Sequence, residues 1–252
     1  MPVEWIYLSP HFDDIALSCG GLVWEQVQAG HRVSIWTICG GLPPKRALSA
    51  FAISLHQRWE TGVEAVRVRQ EEDIAACKVL GAAYRHYPIP DCIYRPENPR
   101  IPHYYASEES LWGKLHPNEA KNAVRRLSQL FARDIPAQAQ VVCPLALGKH
   151  VDHLLTRKAA ERLHRPLWYY PDYPYVLKSR AELEKLEAQG WMPSSFAITA
   201  AGLEAWQAAI AAYTSQVSTF WRSLEDMRLA ISAYAQGRVI LWQQPAQPAS
   251  LC

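Results

Sequence analysis

Apolar runs alternate with amphipathic stretches along the first two thirds of the chain. The runs VEWIYL (residues 3–8) and HRVSIWTIC (31–39) are short and rich in β-branched and aromatic residues, which favours buried strands. Between them, residues 16–29 place apolar side chains at helical spacing and end at Gly30, a residue typical of helix C-termini. A strand, a helix and a strand over about 35 residues form a βαβ unit, whose right-handed crossover makes the strands parallel.

The same alternation continues and predicts the fold class. We expect helices over residues 62–80, 118–133 and 154–164, and strands over 83–89, 139–145 and 166–170. From residue 178 the pattern is mostly helical, up to an apolar strand at 238–242. These patterns predict an α/β protein with a Rossmann-like, mostly parallel sheet, helices on both faces and a helical C-terminal region. A length of 252 residues is compatible with one large domain, which we expect to span 1–252.

Two connections are longer than those of most compact domains: residues 40–61 and the proline-rich segment 88–117. Long connections of this kind commonly act as lids or walls of binding sites. Both leave from the C-terminal ends of predicted strands, and ligands bind at that edge of an open α/β sheet. We therefore expect both connections to wall a site there.

The composition indicates a cytoplasmic protein that acts on a small molecule. With 26 basic and 24 acidic side chains the formal net charge is +2, too little to attract nucleic acid or an anionic membrane. No apolar run approaches the roughly 20 residues that span a bilayer, and the N-terminus has no basic segment before its apolar stretch. The six cysteines are dispersed, so we expect reduced, buried thiols; Cys143 is interpreted as a core thiol rather than a nucleophile. The C-terminal helices could form the interface of a homo-oligomer or simply cover the sheet.

Two polar clusters follow predicted strands and carry the candidate chemistry. In YLSPHFDD (7–14), His11, Asp13 and Asp14 come directly after the first strand. In CPLALGKHVDHLL (143–155), the cluster His150, Asp152 and His153 follows another strand. Each cluster alone has a plainer interpretation: the aspartates could cap the next helix, and the histidines could lie on a solvated helix turn.

The coincidence of residue type and position favours a metal site. Zinc prefers imidazole nitrogen and carboxylate oxygen, and a catalytic site takes three protein ligands. His11, Asp14 and His153 would supply such a set from two strand ends. The remaining groups, Asp13, His150 and Asp152, would be free for proton transfer and charge stabilisation.

The two clusters resemble the motifs of the PIG-L/LmbE family of zinc-dependent N-deacetylases, H-P-D-D and H-x-D-H. A pair of glycines follows the first motif, as in the family, and the helix VRQEEDIAACKVLG resembles the family's R-x-x-E helix through Arg69 and Glu72. AYTSQ (212–216) is similar to a stretch near the family's C-terminal end. Two positions depart from the pattern: Phe12 replaces the usual proline, and Ile15 replaces a frequent acidic residue. Neither is a ligand position in the family, so the departures concern the pocket wall.

The resemblance implies a role for each polar residue. Zinc would be held by His11, Asp14 and His153. Asp13 would be the general base, His150 the oxyanion stabiliser or acid, and Asp152 would orient His150. Arg69 would either bind substrate or pair with a helix glutamate.

The implied activity is zinc-dependent removal of an N-acyl group, the N-acetyl group in this family, from an amino sugar or its conjugate. Two alternatives stay open: a hydratase or lyase that uses the same site, and an inactive sugar- or metabolite-binding protein. Release of a primary amine separates hydrolysis from hydration. The presence of all six polar side chains argues against the inactive alternative.

Overall fold

A sheet of seven strands forms the centre of the computed structural model, which describes residues 1–59 and 64–245. The strands are β1 (Glu4–Ser9), β2 (Arg32–Thr37), β3 (Ala83–His86), β4 (Gln140–Pro144), β5 (Trp168–Tyr170), β6 (Met192–Ala197) and β7 (Arg238–Gln243). They lie in the order β3-β2-β1-β4-β5-β7-β6; the first five are parallel, and β7 is antiparallel to both its neighbours. The predicted α/β class with a mostly parallel sheet is confirmed.

Helices cover both faces of the sheet. They are α1 (Asp14–Gln28), α2 (Ala50–Arg58), α3 (Ala65–Leu80), α4 (Val124–Asp134), α5 (Val151–Glu161), α6 (Arg180–Ala188), α7 (Ala200–Ala211), α8 (Thr214–Phe220) and α9 (Leu224–Ala235). α1, α3 and α7 pack against one another, and α4 packs against α5. The strand order reverses between β1 and β4, and a crevice for a ligand forms at the carboxyl ends of strands at such a point.

The helical C-terminal region packs on α1 through Trp206. A Cβ at Gly20 or Gly21 would lie 2.8 or 2.7 Å from the indole, so the glycine pair leaves the room that this ring needs. α1 departs from helical dihedral angles at Cys19, and the indole Nε1 donates to the Ala16 carbonyl at 2.5 Å. A side chain inserted at a helix kink satisfies the backbone group that the kink frees.

The structure differs from the predicted elements in several places. The connection 40–61 contains α2, and the C-terminal region contains β6 between two helices. β6 is an edge strand with Pro193 and little apolar periodicity, which explains why the sequence pattern did not indicate it. α5 begins at Val151 rather than at residue 154, and β3 ends at His86. The predicted start of α3 at residue 62 lies outside the described residues.

The cysteine side chains follow the expectation of buried thiols. Within the described residues the free cysteines are all buried, Cys143 among them. Burial raises the pKa of the Cys143 thiol well above its ordinary value, so it is a core group rather than a nucleophile. Among the helices that the structure describes, none is long and apolar enough to cross a membrane.

Candidate active site

Both polar clusters lie at one end of the sheet. β1 and β4 are neighbouring parallel strands, so the segments that follow them leave side by side. The structure brings together all the residues predicted for the site: His11, Asp13, Asp14, Arg69, His150, Asp152 and His153. His150 is 7% exposed and His153 1%, so the interpretation of this pair as a solvated helix turn is wrong.

Asp14 lies between two imidazoles. Its Oδ1 lies 3.3 Å from His153 Nε2, and its Oδ2 lies 3.3 Å from His11 Nδ1. Oδ2 also accepts a hydrogen bond from the His11 backbone N–H at 2.7 Å. Two imidazole nitrogens beside one carboxylate form the mixed donor set of catalytic metal sites. These are the three residues that the family resemblance implied as ligands.

Each imidazole is held from behind by a second carboxylate. His153 Nδ1 lies 2.5 Å from Asp172 Oδ1, and His11 Nε2 lies 3.1 Å from Asp152 Oδ2. A carboxylate at the far nitrogen fixes the ring and directs the other nitrogen at a metal. The donor set and its supporting carboxylates therefore fit a divalent metal ion. His150 belongs to the same cluster, because one of its nitrogens lies within 4.8 Å of nitrogens on both His11 and His153.

The carboxylates set the charges of the metal-free cluster. Burial lowers the pKa of His153, but Asp14 and Asp172 outweigh burial and raise this pKa to about 9. Burial also opposes a charged His11, whose hydrogen bonds to Asp14 and Asp152 hold its pKa well above the ordinary value. In turn, although burial acts to raise it, the pKa of Asp14 is held well below its usual range by the two imidazoles.

The carboxylate of Asp13 faces the cavity instead of capping a helix. Asp13 occupies the N-cap position of α1, but its side chain makes no capping hydrogen bond. Its Oδ1 instead accepts a bond from Arg69 Nη2 at 3.2 Å. Burial raises the pKa of Asp13, and the charge of Arg69 partly opposes this effect. The capping interpretation therefore does not hold for Asp13, and its carboxyl is a stronger base than an ordinary aspartate.

Arg69 is held between two aromatic rings. Its guanidinium lies 5.5 Å from the Phe12 ring centroid and 5.2 Å from that of Trp59. Phe12, the residue that departs from the family motif, thus forms part of the wall around this cation. Arg69 pairs with Asp13 and not with a helix glutamate, so the alternative of an intrahelical pair is wrong. Its Nε is buried and has no hydrogen-bond partner among the described residues.

His150 presents a neutral imidazole to the cavity. It is the N-cap of α5, where its Nδ1 accepts the backbone N–H of Asp152 at 3.3 Å. Burial lowers its pKa well below the ordinary value, and the charges of His11 and His153 act in the same direction. With Nδ1 accepting, the neutral ring carries its proton on Nε2. His150 can therefore donate a hydrogen bond to an oxygen that develops negative charge.

The contacts of Asp152 differ from its expected role, which was to orient His150. Its carboxylate does not orient His150; it contacts His11 and Arg95 and accepts the backbone N–H of Cys92 at 3.0 Å. Only the backbone of Asp152 bonds to His150. In the first turn of α5 the side chain of Asp152 instead contacts the loop after β3, through Arg95 and the Cys92 backbone.

The other matched motifs contact one another. Glu72 of the R-x-x-E helix accepts bonds from the Thr214 hydroxyl at 2.8 Å and from the Ser215 backbone N–H at 2.7 Å. The hydroxyl of Tyr213 lies 2.7 Å from the Phe12 carbonyl oxygen. The stretch 212–216 therefore fastens α8 both to α3 and to the first polar cluster.

A cavity of about 200 Å³ opens on the polar cluster. The two long connections wall it as expected, through Leu55, Arg58 and Trp59 on one side and Asp91, Glu108 and Trp112 on the other. Tyr175 and Phe220 add further aromatic surface. Aromatic faces and a few convergent polar groups are typical of sites for small molecules.

Sequence reasoning missed Asp172, Asp91 and Arg95. Asp172 follows β5 at the same edge of the sheet where Asp13 follows β1, which is the signal that could have indicated it. Its neighbours in YYPDYPY resemble a simple covering loop. Asp91 and Arg95 lie in an irregular loop, and no periodicity in the sequence indicates which of its side chains turn inward.

Comparisons with known proteins agree with this geometry. The model of the PIG-L family, described as GlcNAc-PI de-N-acetylase, matches residues 6–164. A 2'-N-acetylparomamine deacetylase of Niallia circulans is 32% identical over 68% of this chain and 67% of that relative. The enzyme of the same name from Streptomyces fradiae is 29% identical over 75% of this chain and 64% of its own length. The alignments thus span about two thirds of these relatives.

A solved structure is similar to this chain over nearly its whole length. The zinc-inhibited form of a teicoplanin deacetylase superposes with a TM-score of 0.80 at 25% identity, covering 96% of this chain and 97% of that one. The similarity thus extends beyond the range of the family match and includes the C-terminal region.

Proposed function

Since this chain belongs to the PIG-L family of de-N-acetylases and is a hydrolytic deacetylase, we propose that it removes the N-acetyl group of an amino sugar in a larger glycoside, with zinc as its metal. The observation that carries the proposal is the convergence of a buried carboxyl, Asp13, on a donor set formed by His11, Asp14 and His153. The names of the relatives, for 2'-N-acetylparomamine and teicoplanin, support the substrate class.

Asp13 and His150 have different roles in amide hydrolysis. A bound metal ion would supply Lewis acidity toward the amide carbonyl and lower the pKa of a water molecule. Asp13 accepts a proton as water adds to the carbonyl carbon. His150 donates its Nε2–H to the oxygen on which charge develops, a contribution of about 2.7–4 kcal/mol for one such donor. As the C–N bond breaks, the proton on Asp13 passes to the departing nitrogen, which gives acetate and a primary amine.

The cavity determines how much of a substrate enters. Its volume of about 200 Å³ is smaller than the 300–1,000 Å³ typical of pockets that enclose a whole drug-sized ligand. We therefore infer that the acetylated sugar enters and that the remainder of the glycoside stays outside. We also infer that the helical C-terminal region belongs to the same domain, because Phe220 of α8 lines the cavity.

The test is acetate and amine release from N-acetylated amino sugars. The protein, stripped of metal and reloaded with zinc, is incubated with N-acetylglucosamine and with 2'-N-acetylparomamine, and both products are quantified. Equal amounts of acetate and primary amine support the proposal. A product that has gained water without losing acetate would support the hydratase alternative, and substrate binding without any product would support a binding protein.

Asp172→Asn is expected to weaken zinc affinity by about 10- to 100-fold. The amide lacks the negative charge that fixes the His153 ring through Nδ1. Affinity is measured by competition with a chromogenic chelator. Asp134→Asn is the control, because the Asp134 carboxylate pairs with Arg85 at the end of α4, outside the cluster. An equal loss in both variants would contradict the assigned role of Asp172.

Zinc affinity is expected to rise as the pH is raised from neutral to about 9. The metal needs an unprotonated Nε2, whereas His153 of the metal-free protein keeps its proton until its raised pKa of about 9. Near neutral pH, binding must therefore release this proton, and the affinity increases until the proton is already lost. Calorimetry in two buffers of different ionisation enthalpy measures the release. An affinity independent of pH across this window would contradict the assignment of His153 as a ligand.

A further inference from the structure

A buried arginine, Arg95, lies behind the donor set on the loop after β3. Its Nη2 lies 2.6 Å from Asp152 Oδ1. The same guanidinium donates to Glu119 through Nε at 2.6 Å and through Nη2 at 3.0 Å. Its side chain is only 7% exposed. The planar, bidentate contact with Glu119 fixes the direction of the guanidinium and places Nη2 beside Asp152, which an ammonium group would not do.

Asp152 connects Arg95 to a predicted metal ligand. While Oδ1 faces Arg95, Oδ2 lies 3.1 Å from His11 Nε2 and accepts the backbone N–H of Cys92 at 3.0 Å. The carboxylate is fully buried, and Arg95 contacts its Oδ1 as a charge at 2.6 Å, because this oxygen has no hydrogen-bond partner among the described residues. With Nε2 held in this way, the opposite nitrogen of His11 is directed toward Asp14.

Glu119 fixes Arg95 from the other side. It begins a π-helical turn, Glu119–Ala123, which leads into α4, and such turns often occur at functional sites. The Tyr105 hydroxyl donates to Glu119 at 2.7 Å, and the Tyr105 ring centroid lies 5.7 Å from the Arg95 guanidinium. A continuous set of buried contacts thus runs from Tyr105 through Glu119, Arg95 and Asp152 to His11.

The second histidine of the donor set is supported differently. Asp172, which holds His153, accepts the backbone N–H of Leu147 at 3.1 Å. The second oxygen of that carboxylate therefore faces a neutral backbone donor. The carboxylate behind His11 instead contacts a cation, and His11 also lies 3.7 Å from Asp91. Without Arg95 the buried Asp152 carboxylate would lose the permanent cation that lies 2.6 Å from its Oδ1, which is costly and favours rearrangement.

We propose that Arg95 is a positioning residue for the metal centre: by holding Asp152, it fixes the orientation of His11 and thereby sets the affinity for the metal. The inference rests on the proposed metal-dependent function. The long connection 88–117 then has two roles: it walls the cavity, and it supports the metal centre from behind.

The test compares Arg95→Met with Arg157→Met. Arg157 is a matched control, because its largely buried guanidinium also bridges a carboxylate and a carbonyl, Glu161 and Leu145, without contact to the donor set. For each variant we would measure zinc affinity by chelator competition, the visible absorption of the Co²⁺-substituted protein and the unfolding midpoint of the metal-free protein. We expect both variants to lose stability, whereas only Arg95→Met lowers zinc affinity, by about 10- to 100-fold, and changes the Co²⁺ spectrum.

Arg95→Lys keeps the charge without the fork and is expected to lose about threefold to tenfold in affinity, a partial rescue. If Arg95→Met does not fold, this variant decides the question. Wild-type affinity and an unchanged Co²⁺ spectrum in Arg95→Lys would then overturn the inference, as would an equal loss in Arg157→Met. If the wild type binds zinc and releases acetate, and Arg95→Met binds zinc equally well, the inference is overturned. The proposed function then still stands. Wild-type protein that binds no zinc would overturn both.

Discussion

Asp13→Asn is expected to lower kcat for N-acetyl hydrolysis by about 10²- to 10⁴-fold, the range of a general base, while the bound zinc stays in place. The amide keeps the oxygen that Arg69 holds at 3.2 Å, so the local structure should persist. It cannot accept a proton from water, because its pKa is far from that of a carboxyl group. The rate is measured as acetate release under single-turnover conditions, and the metal content by mass spectrometry on the same sample.

Asp134→Asn is the matched control for this experiment. Asp134 is also a largely buried carboxylate bonded to an arginine, Arg85, but it lies at the end of α4 outside the site. Its variant should keep wild-type kcat. Near-normal turnover in Asp13→Asn would show that another group is the base, and loss of zinc together with activity would show that Asp13 acts on the metal site itself.

His153→Ala is expected to remove zinc and, with it, turnover. A catalytic zinc site uses three protein ligands, and removal of one leaves Asp14 without the imidazole that now lies 3.3 Å from its Oδ1. About one zinc per chain in the wild type should therefore fall to near zero. The measurement is metal content after purification without chelator, followed by acetate release with zinc added back.

His31→Ala is the control for His153→Ala. His31 precedes β2 at the amino ends of the strands, opposite the site, where its Nδ1 accepts the backbone N–H of Val3 at 3.2 Å. This variant should keep both zinc and activity. If the wild type takes up no zinc even when it is offered, or if His153→Ala keeps a full complement, then the two strand-end clusters do not form a metal site.

The sequence alone was sufficient to predict those parts of the site that directly follow a strand. His11 and Asp14 follow β1, and His150 and His153 follow β4. Parallel strands bring their carboxyl ends to one edge, so a pattern of apolar runs that end in polar clusters predicts their proximity before any contact is known. The same logic predicted that both long connections would wall the cavity.

Contacts between distant segments could not be predicted in this way. The family motif indicates that Asp152 has a function, but not that its partners are His11 and Arg95, because a loop without periodicity supplies the arginine. Asp172 was missed for a similar reason, since prolines surround it. β6 was missed because an edge strand pairs on one side only and needs few apolar side chains.

The contacts between α3 and α8 bear on how variants of this enzyme could be designed. Glu72 holds Thr214 and Ser215, and α8 carries Phe220 into the cavity wall. A chimera that takes α8 from a relative to alter substrate choice would therefore place a foreign segment on the native Glu72. The glycines of α1 and Trp206 form a second matched set, because a Cβ at either glycine would lie within 2.8 Å of the indole. An exchange of segments between relatives should therefore replace both partners of each contact together, even though the partners lie far apart in the chain.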